Sequence, residues 1–532
     1  MKRIVFSALC SRVPGVGGRF LQWGLVLLAG LVMLMPGTVQ AQDPPRHVLT
    51  FASSGGGYSL SLARFVELVV ERNHQLQSRD ADLIMKKEGV KAARAIYEPA
   101  LVGSYTHFYN NEQNTAEQIV ARNSLVYELE ADYYKLEIEG LFPTGAQFKF
   151  GLGLTESNDN LLLLNQKEID RQYKEVAFVN LTQPLLKNFG VATTETQIRL
   201  AEGDADVALQ SYRQEMLNVV GQAVAGYWDL SLAQEKVAMR AESVRVAEQI
   251  LEDNRTRFRT GKMAETEVLE AEAGVALRKA LELEARKQYV AAKNDALTMF
   301  AAHAVAYTAD IDTSEPFILD KGLYDYQTSV GRAFRFRPEY LATQRRLSQE
   351  NIRLAYAENQ RWPELDLKAS YGLNGLNYDR SDAWDDLESS DYDTWSVGFE
   401  FRIPLYGDRK TASELAQVKQ RKRKALLEMK AIEVALANVV NTSIHNIESS
   451  TAQAGYSSSV ADANRRLLEI ELIRLKAGKS NSRLVLEKEE DYRSAREAEL
   501  EALVDQKKAV LELEMAEGSL LSRYNVDVMG RE

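Results

Sequence analysis

Five histidines stand in the sequence, His47, His74, His107, His303 and His445, and no two are spaced to share a ligand on one helix face. The single cysteine, Cys10, precedes the first apolar run. Zinc and thiolate chemistry need His and Cys side chains at short, regular spacings, so neither is expected. No nucleophile elbow and no phosphate-binding loop occurs, and Gly55-Gly56-Gly57 lies in a polar stretch that reads as a flexible linker. The acidic run Asp379 to Asp393 lacks the spacing of a calcium loop and reads as a solvated surface loop. The basic run Lys419 to Lys424 reads as a wet helix face. The expectation is a protein that is not an enzyme, with no catalytic residue, no metal and no cofactor. The 65 basic and 76 acidic residues give a net charge of −11, which argues against the basic face of a nucleic-acid binder.

The N-terminus carries an address. Lys2, Arg3, Arg12 and Arg19 precede an apolar run from Phe20 to Met35, followed by Pro36-Gly37 and the small-residue site Val39-Gln40-Ala41. This is the pattern of a secretory signal peptide over residues 1–41, with a linker over 42–57. No other stretch is apolar enough for a membrane helix, which leaves a periplasmic protein, a secreted one, or a β-barrel in the outer membrane.

The remainder is a duplication. Arg257-Phe-Arg-Thr-Gly-Lys262 matches Arg474-Leu-Lys-Ala-Gly-Lys479, and Val268-Leu269-Glu270 matches Val485-Leu486-Glu487, at a constant offset of 217 from Gly261 to Gly478. Further back, Thr182-Gln183-Pro184-Leu185 corresponds to Arg402-Ile403-Pro404-Leu405, and Tyr97-Glu98-Pro99 to Arg361-Trp362-Pro363. The first repeat is read as 58–305, a connection as 306–325 and the second repeat as 326–532. Pro99 to Pro184 spans 85 residues and Pro363 to Pro404 only 41, so the first half holds 44 more between its prolines.

Between the prolines the period is two. Leu365, Leu367, Ala369, Tyr371 and Leu373 alternate with polar residues, as do Trp395, Val397, Phe399, Phe401 and Ile403. About ten residues is the length of a tilted strand across a bilayer, and apolar-out, polar-in alternation marks membrane barrels. The extra segment of the first half reads as another hairpin: Tyr134, Leu136 and Ile138, a turn at Phe142-Pro143-Thr144-Gly145, then Phe148, Phe150, Leu152 and Leu154. The flanking strands, about 100–109 and 174–183, alternate less cleanly. So few strands cannot close a pore, and open edges are not tolerated in lipid, so the barrel must be shared between copies.

After the second proline of each half the period becomes helical. Thr194 to about Thr260 and Thr411 to Ala477 contain no proline, each about 67 residues and so a rod of about 100 Å. Gly261 and Gly478 end the rods as helix C-terminal signals. Helices returning over about 265–302 and 482–523 complete two antiparallel hairpins, and shorter helices over about 60–96 and 326–360 precede the strands.

In this order, twice over, the elements resemble the TolC-like outer-membrane efflux protein family. Thr182-Gln-Pro-Leu-Leu-Lys-Asn-Phe-Gly190, Ile403-Pro-Leu-Tyr-Gly407 and the second tip motif carry the likeness, which covers roughly 58–525. The resemblance implies a mainly α fold with membrane β: duplicated halves, long helical hairpins forming a trimeric periplasmic tunnel, and a transmembrane β-barrel shared by the trimer. It implies an outer-membrane channel subunit of a tripartite efflux or type I secretion system, with a periplasmic adaptor and an inner-membrane pump as partners. The tips would contact the adaptor through Arg257, Phe258, Arg259, Thr260, Gly261 and Lys262, and through Arg474, Leu475, Lys476, Ala477, Gly478 and Lys479. Relatives narrow the periplasmic entrance with acidic residues past the second tip. Glu487 fits, Leu484 departs from that pattern, and Glu267 and Glu270 are the first-half candidates. Four strands per chain would give a trimer twelve; the extra pair, if it joins, would give eighteen. The other reading is a periplasmic coiled-coil adaptor or scaffold without a pore, which would normally have one hairpin flanked by soluble β domains.

Overall fold

The computed structural model describes residues 58–526, apart from 123, 161–162, 165–166, 169–170, 301–310, 406 and 478. The expected signal peptide and linker, part of the inter-repeat connection, and Gly478 lie outside the described residues.

Each half begins with a broken helix. Leu62–Arg72 (α1) and His74–Arg94 (α2) are separated at Asn73, and Tyr326–Phe336 (α5) and Pro338–Asn359 (α6) at Arg337. The sequence reading took each as one helix. Asn73 ends α1 through its own N–H to the Val69 carbonyl, and its side-chain oxygen accepts from the N–H groups of Gln75 (2.9 Å) and Leu76 (3.2 Å) to start α2. In the second half Pro338 sits at the first position of α6, where its missing N–H is no loss but continuation from α5 is blocked.

The strands form one sheet across both halves. Tyr58–Leu60 (β1) pairs in parallel with Ile311–Thr313 (β6), apart from the main sheet. Ala100–Gln113 (β2), Val126–Leu141 (β3), Gln147–Asp159 (β4), Gln172–Pro184 (β5), Glu364–Asn377 (β7) and Asp393–Arg402 (β8) make a six-stranded antiparallel sheet in the order β8-β7-β5-β4-β3-β2. The extra hairpin β3–β4 is therefore inserted between β2 and β5, not displaced from the sheet. The register Leu101–Ile138–Phe150–Val179–Tyr371–Trp395 puts one apolar side chain from every strand in a single row. The opposite face carries polar pairs across the strands: Lys149 to Glu139 (2.6 Å), Arg402 to Glu364 (3.3 Å), Ser370 to Ser396 (2.7 Å), and Lys368 to Glu400.

The acidic run is not a plain loop. Arg380–Ser389 (α7) is a helix capped by the Asp379 side chain, and it buries Ala383 and Leu387 against the outer end of β7. The two buried residues are four apart, on one helix face. The basic run keeps its expected setting on an exposed helix.

The rods are Thr196–Arg259 (α3) and Arg409–Lys476 (α8), 64 and 68 residues long, with returns Glu265–Thr298 (α4) and Ser482–Glu517 (α9). Near the tips the packing order is α4-α3-α9-α8, and near the sheet it is α2-α3-α6-α8. The helices thus make a wall four wide, in which α3 is internal over its length and α8 borders one side. The main core lies where α1 meets α3, with Phe65, Leu217, Tyr227 and Leu230 sealed from solvent. There the Tyr227 hydroxyl donates to the Leu60 carbonyl (2.8 Å) and accepts from the Ser314 N–H (3.1 Å), which ties the β1–β6 pair to α3.

The turn between β3 and β4 is locked to the junction of sheet and wall. Gly145 has φ +87°, its N–H reaches the Phe142 carbonyl at 2.9 Å, and the Gly190 N–H reaches the Thr144 carbonyl at 3.0 Å. A Cβ on Gly145 would stand 2.6 Å from the Asn188 carbonyl oxygen. Gly145→Ala is expected to destabilise the fold by about 1–3 kcal/mol, from left-handed strain and the clash. Thermal unfolding of the detergent-solubilised protein checks this; an unchanged midpoint would show that the turn is free of the junction.

Candidate functional site

The hairpin tips repeat in backbone as well as in sequence. In the first, the Lys262 N–H reaches back to the Arg257 carbonyl (2.9 Å) and the Gly261 N–H to that of Phe258 (2.8 Å), with Gly261 at φ +67°. This is the two-bond closure that glycine allows at a helix end. In the second, the Lys479 N–H reaches the Arg474 carbonyl at 2.9 Å, the same bond 217 residues on. Arg259 pairs with Glu252 (2.9 Å) and Arg474 with Glu471 (3.1 Å), so part of the tip charge is satisfied within each hairpin. Phe258 and Ile473 stand exposed beside these turns.

The two tips are joined. Asn254 of α3 and Ser482 of α9 are both buried; the Ser482 hydroxyl donates to the Asn254 side-chain oxygen (2.8 Å), and the Asn254 amide donates to the Glu267 carbonyl (3.1 Å). The Asn481 side chain caps α9 by accepting from the Leu484 N–H (2.9 Å). About four turns beyond the first tip, Arg278 of α4 is 4% exposed and Glu489 of α9 is 1% exposed. Both Nε (3.1 Å) and Nη2 (3.0 Å) of Arg278 donate to Oε2 of Glu489, which also accepts from Ser243 of α3 at 2.9 Å. Arg278 Nη2 donates as well to the Leu486 carbonyl (2.7 Å), and Arg493 covers the other oxygen of Glu489 at 2.8 Å. Three helices from both hairpins converge on one carboxylate.

Toward the sheet, Arg240 of α3 meets Glu490 (3.0 Å) and Glu497 (2.7 Å) of α9. Burial works against its charge, but the two carboxylates prevail and hold its pKa above the ordinary arginine value. Sequence reasoning missed both clusters. The Arg and Glu residues concerned look like the solvated charges around them, and their partners are more than 200 residues away in sequence.

Of the sequence-derived acidic residues, Glu270 and Glu487 are exposed at equivalent positions of α4 and α9, and Glu267 is half-buried. Among the described residues none of the three forms an ion pair. No three His, Cys, Asp or Glu side chains gather as a metal site among the described residues, and no described helix is long and apolar enough to cross a membrane.

With this geometry in view, residues 65–299 and 337–519 match the family model described as outer membrane efflux protein. The chain belongs to that family. The gap between the matched segments, residues 300–336, includes the expected inter-repeat connection. The outer membrane efflux protein BepC of Brucella suis biovar 1 (strain 1330) is 22% identical over 279 residues, 52% of this chain. The alignment spans 57% of BepC, little more than half the length of that relative. The crystal structure of the Campylobacter jejuni CmeC outer membrane channel matches with a TM-score of 0.62 at 14% identity, over 88% of this chain and 90% of that one. That of the outer membrane protein VceC from Vibrio cholerae matches with a TM-score of 0.59 at 15% identity, over 86% and 96%. These likenesses show the fold, and the family places the chain in the outer membrane.

Removing one partner of a buried, hydrogen-bonded ion pair leaves the other charge stranded, which costs about 3–5 kcal/mol. Glu489→Ala is therefore expected to lower the stability of the helical wall by about that much. The double variant Arg278→Met, Glu489→Met should recover most of the loss. Thermal melts followed by circular dichroism decide it: a silent Glu489→Ala would mean that the charges are hydrated.

Proposed function

We propose that this chain is one subunit of a trimeric outer-membrane channel, the outlet of a tripartite efflux or secretion assembly that carries cargo from periplasm to exterior. The observation that carries the reading is that sheet and wall are unfinished on the same two sides. Strand β2 follows α2, and both border one side; β8 precedes α8, and both border the other. The outward rows of apolar side chains fit lipid, with Trp395 and Phe399 each 70% exposed in the single chain. Helix α8 likewise exposes Leu427, Val434, Tyr456, Val460 and Leu467, and α4 exposes Leu269, Leu277 and Leu283. Those helices fit against a neighbouring copy at the same borders as the open strands. A pore-free periplasmic scaffold has no use for six strands of bilayer length with one apolar face.

In this reading the tips, Arg257 to Lys262 and Arg474 to Lys479, face the periplasm and contact an adaptor that links the channel to an inner-membrane pump. Their turns expose basic side chains and the apolar Phe258 and Ile473, a mixed surface suited to a helical partner. Glu267, Glu270 and Glu487 lie within a few turns of the tips. Threefold symmetry would bring three copies of each carboxylate toward the axis, where they would attract cations and repel anions.

Two measurements test this. Native mass spectrometry of outer-membrane extracts should find a trimer that needs detergent; a soluble monomer would remove the channel reading. Phe399→Arg should cost about 2–4 kcal/mol and block membrane assembly, whereas Ser370→Arg on the opposite face should be tolerated. The gate is tested apart from the pore. The double variant Glu270→Gln, Glu487→Gln should lower the cation-over-anion permeability ratio of the reconstituted channel, and an unchanged ratio would take the carboxylates off the ion path.

A further inference from the structure

The hairpin β3–β4 gives the first half four strands where the second half has two, so each chain brings six strands to a wall only four helices wide. We infer that this hairpin is a bore-setting element. It makes the shared barrel eighteen-stranded and opens the exit to the full width of the helical tunnel, so that the outer membrane is not the narrow point for cargo. The inference rests on the trimeric channel reading above and adds the barrel's size to it.

Two features assign the hairpin to the membrane wall and not to an outer loop. The first is register: Ile138 and Phe150 lie in the same cross-sheet row as Val179 and Tyr371, and in the next row Leu136 and Leu152 align with Ala177 and Leu373. The hairpin thus continues the lipid-facing surface at the same depth. The second is its inner turn, held at the sheet–wall junction by the Gly190 N–H to Thr144 carbonyl bond of 3.0 Å. An extracellular insertion would turn at the other end of the strands. Closure of the ring is compatible with this placement. All neighbours in the sheet are antiparallel and their number is even, so β8 of one copy meets β2 of the next in antiparallel sense, and the ring closes without a parallel seam.

The widths agree. Strands about 4.8 Å apart and tilted about 40° each take about 6 Å of circumference, so six span about 38 Å and four only about 25 Å. Four helices about 9 Å apart span about 36 Å. A six-stranded sheet therefore sits on its wall without a taper, whatever the copy number, and a four-stranded one would have to draw the wall in. For three copies the backbone cylinder is about 36 Å across, against about 24 Å for twelve strands. Lumen side chains reaching about 5 Å inward leave a bore of about 26 Å or about 14 Å respectively. An α-helix with its side chains is about 10–12 Å across, so the wider exit passes a helical hairpin and the narrower one only a single helix. The cross-strand pairs Lys149–Glu139 and Lys368–Glu400 neutralise each other on the lumen face.

Electron cryomicroscopy of the full-length channel in lipid nanodiscs counts the strands directly. Eighteen in a trimer supports the inference. Twelve, with β3–β4 splayed off the wall, overturns it and leaves the channel reading intact; absence of a trimer overturns that reading instead. Excision of residues 114–160 leaves β2 joined to β5 by an outer loop. With polymers added from the outer side of a planar bilayer, the radius of the largest one admitted should fall about twofold, and an unchanged cut-off would overturn the bore-setting role. Should the excised chain not assemble, single cysteines keep the question open to measurement, since Cys10 is the only native one. A fluorophore at Leu136→Cys or Leu152→Cys should be quenched by a lipid-soluble quencher, and one at Lys135→Cys or Gly153→Cys should not. Equal response at all four would place the hairpin outside the bilayer.

Discussion

An unpaired backbone amide inside hydrocarbon costs several kcal/mol, and this constraint governs the architecture. The sheet ends in β2, with 14 residues, and β8, with 10, and each presents a row of unsatisfied N–H and C=O groups to the outside. Neither edge is blunted by the usual means. Both strands lack proline, and β2 carries apolar and aromatic side chains, Leu101, Tyr105 and Phe108, on its exposed length. In water such an edge invites aggregation. In the proposed ring of copies it is the means of closure, and the stability of such a strip would then belong to the assembly.

The helical wall obeys a softer version of the same rule. Its borders carry exposed leucines and valines whose burial against a neighbour is worth about 25 cal/mol per Å² of apolar surface removed from water. The rods stand close to one another because small side chains occupy the contacts: Ala223, Ala247, Ala271, Ala454 and Ala461 are all sealed. Helix α3, touched on both sides, buries residues around much of its circumference, whereas α8 at the border buries a narrow set such as Leu436, Val440, Ile444 and Ile447. Burial therefore tracks position in the strip and not helix length.

Much of this was legible in the residues. Period-two alternation located the strands, and the conserved offset between the two Gly-Lys tips paired the hairpins, because both signals are local and repeated. Strand order was not legible: alternation says which face a residue takes but not which neighbour it meets, so the place of β3–β4 between β2 and β5 came only with the register. The breaks at Asn73 and Pro338 were readable as a cap and a first-turn proline, but a continuous helical period on both sides hid them. In the acidic run, Ala383 and Leu387 at a spacing of four were the sign of α7, outweighed by the charged residues around them. The Arg278–Glu489 pair left no sign, since an arginine and a glutamate on long helices look alike whether wet or buried.

That buried pair has a geometric consequence which apolar packing alone would lack. The layer around it is apolar, built from Ala247, Ala271, Val275, Val485 and Leu486. A slip of α4 against α9 by one turn would be about 5.4 Å. It would carry the guanidinium out of reach of both Glu489 and the Leu486 carbonyl, and a stranded buried charge is costly. A buried ion pair penalises a change of register because the change strands a charge, and this one joins the two hairpins. The first hairpin turns at Gly261 and the second just before Lys479, and in the proposed reading a partner that grips both tips would need them level. Asn254 and Ser482 repeat the device nearer the tips with neutral groups. The two polar links therefore tie the hairpins together at one relative height, while the apolar layer between them supplies cohesion.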